Sequence, residues 1–214
     1  MNLVKVFTFN PFYENTIVLS NENKECIIFD PGCYDRKEEN ELKSYIGNNK
    51  LRPVKLINTH GHVDHVFGNA FIYDTYGLKP ELHKDELQVL RTAPAISNAY
   101  GVPFPAPSPE PEKFIEDGDE IPFGDMTLKA ILCPGHSPAS LCFYIERHSV
   151  LIGGDVLFRD SIGRTDLPGG DHDTLLKMIK TRVYTLPDDT IVYPGHGPET
   201  TVGYEKKNNP FVRM

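Results

Sequence analysis

An α+β fold, with β-sheets covered by helices, is what the sequence predicts, and three observations carry this. Runs of short, β-branched or apolar segments are followed by segments of helical period, twice along the chain. The polar clusters that hold most of the histidines each fall just after a predicted strand end, where loops on a rigid scaffold carry chemistry. No repeat, linker or low-complexity tract divides the 214 residues, so one domain spanning 1–214 is expected.

In chain order, Leu3 to Phe9 alternates, Thr16 to Leu19 is β-branched and apolar, and Cys26 to Phe29 is a short apolar run, so all three are read as strands. Asp30-Pro31-Gly32 breaks the run. Glu38 to Ile46 has Leu42, Tyr45 and Ile46 on one helical face, with Gly47 as the expected C-cap. Val54 to Asn58 reads as a buried strand running into Thr59-His60-Gly61-His62-Val63-Asp64-His65, and Val66 to Tyr76 has helical spacing. Ala93 to Pro111 carries six prolines and little periodicity, so an irregular loop is expected there. Met126 to Leu132, Leu141 to Ile145 and Val150 to Ile152 are further strands. Asp171 can cap a helix whose apolar face is Leu175, Leu176, Ile179 and Val183. Ile191 to Tyr193 is the last strand, followed by Pro194-Gly195-His196-Gly197.

Composition narrows the function classes. The chain is 39% hydrophobic and 24% charged, with a formal net charge of −8. That balance argues against nucleic acid as a partner, because phosphate-backbone binding rests on Lys and Arg. No stretch has the apolar length of a membrane span, and the first residues lack the apolar run of a signal peptide. The four cysteines have neither metal-finger nor redox spacing and are read as free thiols, with Cys26 and Cys142 in strands; a cytoplasmic location is expected. No feature of the sequence specifies an oligomeric state.

Five of the eight histidines lie in three short motifs: His60-x-His62-x-Asp64-His65, Pro134-Gly135-His136-Ser137, and Pro194-Gly195-His196-Gly197. Asp155 follows the strand-like Val150 to Gly154. Imidazole nitrogen with carboxylate oxygen is a donor set for zinc, iron or manganese. On extended backbone, residues two apart project the same way, so His60 and His62 can clasp one ion. A helical turn beginning near Asp64 would send Asp64 and His65 toward a second. His136 and His196 would complete one ion each, and Asp155 has two oxygens with which to bridge both. Left without metal, such a cluster would bury polar groups at a cost. His83, His148 and His172 stand alone and are read as surface residues.

In order and spacing, these motifs resemble those of the metallo-β-lactamase superfamily over nearly the whole chain. The resemblance implies a four-layer αβ/βα sandwich, two mixed β-sheets flanked by helices. It implies that His60, His62 and His136 bind a first metal, that Asp64, His65 and His196 bind a second, and that Asp155 bridges them. Two divalent ions are implied, zinc first, with iron or manganese as substitutes. Within the superfamily, the runs Asn10-Pro11-Phe12-x-Glu14-Asn15-Thr16, Ser161-Ile162-Gly163-Arg164-Thr165-Asp166 and Gly195-His196-Gly197-Pro198-x-Thr200-Thr201, with Asn209-Pro210-Phe211, look most like the small glyoxalase II-like proteins. The implied activity is hydrolysis of a small-molecule thioester by a metal-bridging hydroxide, oriented by Asp64. The C-terminal helical segment with which longer glyoxalase II enzymes contact glutathione is expected to be lacking here. Aspartate at position 155, where some true β-lactamases place cysteine, argues against antibiotic hydrolysis.

Two further residues are singled out. Arg164 lies in the loop after Asp155 and could hold a substrate carboxylate, or could pair with Asp166 and shape the loop. Phe104 is the candidate substrate contact of the proline-rich segment. The competing readings are a persulfide dioxygenase using one iron, which the Gly163 to Asp166 run also resembles, a lactonase or nuclease on the same fold, and a non-catalytic binding protein. The net charge counts against the nuclease, and an intact set of seven ligands counts against the binding protein.

Overall fold

The computed structural model describes residues 3–213. Its described residues form two compact units, one of residues 3–82 and 87–114, the other of residues 83–86 and 115–213.

The first unit is built on a mixed six-stranded sheet. Its strands are β1 (Val4–Phe9), β2 (Glu14–Ser20), β3 (Glu25–Phe29), β4 (Arg52–Ile57), β5 (Pro80–Leu82) and β6 (Lys113–Phe114), in spatial order 1-2-3-4-5-6. β1 to β3 pair antiparallel, as short connections allow, and β3 to β6 pair parallel. The first parallel crossover is helix α1 (Arg36–Asn48), whose Leu42 and Ile46 pack with Phe7, Val18, Ile28 and Leu56. Asp35 caps α1 by accepting from the backbone N–H of Lys37 and Glu38. Gly47 is not the C-cap that its position suggests. The helix runs through it, and Asn49, in right-handed backbone at φ −89°, ends it with no need for glycine.

Two other helical expectations change. In place of one helix over Val66 to Tyr76 there is a four-residue turn α2 (Val63–Val66) and a separate α3 (Asn69–Tyr76). Gly68 donates its N–H to the Pro31 carbonyl at 2.7 Å, outside any helical ladder, and this contact stands at the break. The segment from Ala93 to Pro111 is not all loop, because α4 (Leu87–Ala99) carries Pro94 in its interior. Proline there costs about 3 kcal/mol. The burial of Leu90 and Ala93 against Val63, Val66 and Phe67 offsets it. Only the stretch after Ala99, with five prolines, is irregular.

The second unit holds the other mixed sheet, of β7 (Glu120–Phe123), β8 (Met126–Leu132), β9 (Leu141–Ile145), β10 (Val150–Gly154), β13 (Ile191–Pro194) and β14 (Thr200–Thr201), in order 14-13-10-9-8-7. Only β10 and β13 pair in parallel. A small hairpin, β11 (Leu157–Phe158) with β12 (Ser161–Ile162), follows β10. Asp171 caps α5 (His172–Met178), which continues into a π-helical turn over Ile179–Val183. Leu175, Ile179 and Val183 from this run are buried with Leu151 and Val192 of the sheet. Helix α6 (Val202–Asn208) closes the unit.

The cysteines are free and buried, Cys26 in β3 and Cys142 in β9, and burial pushes the Cys26 thiol up to about 12. Among the described residues, no helix is long and apolar enough to cross a membrane. His148 and His172 are exposed, as expected. His83 is not. It is buried, with Nδ1 accepting the Asp85 N–H at 3.2 Å and Nε2 lying 3.2 Å from Glu116.

Candidate metal centre

Every sequence-predicted ligand lies in or just beyond a loop that begins at the carboxyl end of a strand. His60 comes three residues after β4, His136 four after β8, Asp155 directly after β10 and His196 two after β13. In the first unit, the loop after β4 brings His60, His62, Asp64 and His65 together. The His60 ring lies 4.7 Å from that of His62 and 4.2 Å from that of His65, centroid to centroid. Asp64 and His65 sit on the turn α2, so they leave the chain in a different direction from His60 and His62. His60 and His65 are fully buried.

Hydrogen bonding sets which nitrogen each ring offers. Asp30 accepts the Thr59 N–H at 2.7 Å on Oδ1 and the Thr59 hydroxyl at 2.6 Å on Oδ2. The Thr59 proton is thus used, and Thr59 Oγ1 accepts from His60 Nδ1 at 3.0 Å. Asp30 Oδ2 also lies 3.1 Å from His65 Nδ1. One buried carboxylate therefore fixes two imidazoles with the proton on Nδ1 and the lone pair on Nε2, the arrangement that metal-ligating histidines adopt. Sequence reasoning took Asp30 only as part of a strand breaker. Its signal was available: an acid directly after a strand, as at Asp155.

Behind this cluster lies Glu14, also fully buried. Its Oε2 accepts the Thr16 hydroxyl at 3.0 Å, and its Oε1, 3.9 Å from His65 Nδ1, makes no hydrogen bond among the described residues. Burial pushes the Glu14 carboxyl well above its ordinary range; His65 opposes this and the charges of Asp30 and Asp64 add to it. Asn10 holds the backbone, its side-chain amide donating to the carbonyls of Gly32 and Asp64, each at 3.0 Å. The run from Asn10 to Thr16 thus braces the ligand turn.

In the second unit, His136 Nδ1 donates to the Arg164 carbonyl at 2.8 Å, which again leaves the lone pair on Nε2. Asp155 Oδ2 lies 3.5 Å from Nε2 of His136 and 3.5 Å from Nε2 of His196. Two ligands each 2.0–2.2 Å from one tetrahedral ion stand about 3.3–3.6 Å apart. The spacing and the donor chemistry fit a carboxylate shared between two metal-binding histidines. Gly135 makes the His136 loop possible: its φ is +124°, and a Cβ would meet the Leu175 backbone nitrogen at 2.5 Å. Gly163 allows the other close approach, since a Cβ there would stand 2.0 Å from the Asp155 carbonyl oxygen.

Arg164 makes the ion pair that was one of its two sequence readings. Arg164 is committed to Asp166 by two parallel hydrogen bonds of 2.7 Å, and this guanidinium contact, with a backbone hydrogen bond, lowers the Asp166 carboxyl to about 2. Phe104 is half-buried against Phe67, with ring centroids 5.4 Å apart.

Strand-end loops that present aspartates and histidines, with the tautomers of His60, His65 and His136 fixed, fit a metallohydrolase of the metallo-β-lactamase superfamily, and the chain belongs to that superfamily, whose signature matches residues 9–196. Among its relatives are a probable metallo-hydrolase of Bacillus subtilis, 35% identical over 94% of this chain and 93% of that one, and hydroxyacylglutathione hydrolase GloC of Haemophilus influenzae, 31% identical over 98% and 97%. Among solved structures, the chain is similar to the B3 metallo-β-lactamase BLEG-1, with TM-score 0.90 and 37% identity over 99% of this chain and 100% of that one. It is also similar to TTHA1623, solved in a di-iron-bound form, with TM-score 0.88 and 34% identity over 97% and 100%.

Proposed function

We propose that this metallohydrolase is a thioesterase of the hydroxyacylglutathione hydrolase type, acting with two divalent ions, zinc first. In this reading His60, His62 and His136 would hold one ion and Asp64, His65 and His196 the other, with Asp155 as a ligand to both. The observation that carries it is the fixed tautomer of His60, His65 and His136, each with Nδ1 bound to a protein oxygen so that Nε2 offers its lone pair. The likeness to GloC supports the choice of substrate class.

The ions would supply acidified water and polarisation of the substrate carbonyl. The chain's own residues supply the rest. Asp64 orients the attacking water with its carboxylate, held in place by the Asn10 bond to its carbonyl. Attack on the carbonyl carbon breaks the C–S bond; one product is the carboxylate, and the thiolate leaves and takes up a proton. Phe104, packed on Phe67, would border the substrate, and Arg164 would reach a substrate carboxylate only by exchanging Asp166 for it.

The test is hydrolysis of S-D-lactoylglutathione by protein whose metal content has been counted, with a chelated control. Chelator-sensitive turnover with about two ions per chain supports the reading. No turnover with two ions bound removes glutathione thioesters from consideration and leaves other thioesters and lactones. One iron per chain, with oxygen consumed on glutathione persulfide, replaces the thioesterase by a persulfide dioxygenase. A second reading, β-lactam hydrolysis, is favoured by the likeness to BLEG-1, which weighs against the inference drawn from aspartate at position 155. Opening of a chromogenic cephalosporin at rates above those on the thioester would establish it.

A further inference from the structure

We propose that Glu86 is a positioning residue for the loop that presents His136, and that the metal affinity of the centre depends on it. The inference rests on the reading of His136 as a ligand. Glu86 ends a 3-10 turn at Lys84–Glu86, and its side chain is fully buried. A carboxylate is costly to bury, so its hydrogen bonds show what it is there to hold. Its Oε1 accepts the Ser137 hydroxyl at 2.6 Å and the Ala139 N–H at 2.7 Å, so it grips both sides of Pro138 immediately after His136. The Ser137 hydroxyl gives its proton to Glu86, and Ser140, 2.5 Å away, therefore donates to Ser137 Oγ. Ser140 in turn accepts the Cys133 N–H on its carbonyl at 2.8 Å, closing the loop at its base.

The other side of the loop is fixed by different means. Asp171 donates its N–H to the Gly135 carbonyl at 2.7 Å, and His136 Nδ1 is held by the Arg164 carbonyl. Residues 133–140 are thus clamped by α5 and Arg164 on one side and by Glu86 on the other. Glu86 acts on the His136 loop through its bonds to Ser137 and Ala139. Hydrogen bonds that orient a ligand in this indirect way are worth about 10–100-fold in metal affinity.

Glu86→Gln and Glu86→Ala separate this role from a purely structural one, because glutamine retains an oxygen that can accept both bonds and alanine retains none. Zinc affinity of the full chain is measured by competition with a chromophoric chelator, alongside metal stoichiometry and the thermal midpoint of the metal-free protein. The expected result is a 10–100-fold loss of affinity in Glu86→Ala and a change of threefold or less in Glu86→Gln. Wild-type affinity in Glu86→Ala, with only the metal-free midpoint lowered, overturns the proposal. So does a loss in Glu86→Gln equal to that in Glu86→Ala. If Glu86→Ala does not fold, Ser137→Ala removes one of the two donors; an affinity loss of up to about tenfold supports the role and an unchanged affinity overturns it. Failure of the wild-type chain to bind any ion would instead remove the metal reading on which the inference stands.

Discussion

His65 Nδ1 stands 3.1 Å from Asp30 Oδ2, with both side chains buried. The same carboxylate serves Thr59, and through it His60. Asp30→Ala would leave the Thr59 N–H and the His65 Nδ1–H without their acceptor, at about 1–3 kcal/mol each. The variant is expected to unfold at lower urea concentration and to bind zinc 10–100-fold more weakly. Zinc affinity equal to wild type in the folded variant would show that Asp30 stabilises the loop without orienting its histidines.

Asp155 faces the Nε2 atoms of His136 and His196 at the same distance, 3.5 Å. Asp155→Ala is expected to bring metal content below two ions per chain and to cut thioester hydrolysis more than about a hundredfold. Metal analysis and initial rates, taken on the same preparation, check both. Retained turnover with two bound ions would rule out the bridging role.

The Arg164–Asp166 pair is exposed, with 56% and 65% of the two side chains accessible. Such pairs stabilise little, so Arg164→Ala is expected to leave the thermal midpoint unchanged. Because the Asp166 pKa is depressed, the pair persists above the ordinary carboxylate range and is lost only as pH falls through about 2. Carboxyl NMR should find Asp166 titrating near that value in the wild type and higher in Arg164→Ala. KM should change less than about threefold; a tenfold rise with unchanged kcat would assign Arg164 to the substrate.

Gly163 lies against the Asp155 backbone, where a Cβ would be 2.0 Å from the carbonyl oxygen and 3.1 Å from His136 Nδ1. Gly163→Ala therefore has to shift the loop that supplies the Arg164 carbonyl to His136. Overpacking of this kind costs about 1–3 kcal/mol. Thermal unfolding measures that cost, and a loss of zinc affinity beyond it would report the displaced His136.

Metal removal should act on stability as well as on turnover. An ion that binds the folded chain and not the unfolded one stabilises by about 2.7 kcal/mol at a hundred times its Kd. The thermal midpoint should fall on chelation and recover on adding back zinc. A midpoint indifferent to chelator would mean that no such ion is bound.

Much of this was legible in the sequence. The ligand runs are local: His60, His62, Asp64 and His65 fall within six residues, and their strand-end placement follows from apolar runs that the eye can find. What could not be read is what acts at a distance. Asp30 reaches His65 across 35 residues and Glu86 reaches Ser137 across 51, and neither separation leaves a periodic trace. Pro94 and Gly47 misled for the opposite reason. Each carries a strong local preference, which the burial of Leu90 and Ala93, and of Leu42 and Ile46, overrides. His83 was misjudged because solitary histidines carry no signal of burial.

The four residues His83–Glu86 belong to the second unit although the chain on either side of them belongs to the first. Severing the polypeptide between Phe114 and Ile115 therefore does not yield two self-sufficient halves. The C-terminal fragment would carry both of its own sheets and three of the metal-site side chains, yet leave behind the strap that holds its histidine loop. Co-expressed fragments cut at that bond would have to reassociate to recover it, whereas a circular permutant opened at the same bond keeps every residue on one chain, and in it the order in which strap and loop are synthesised is reversed.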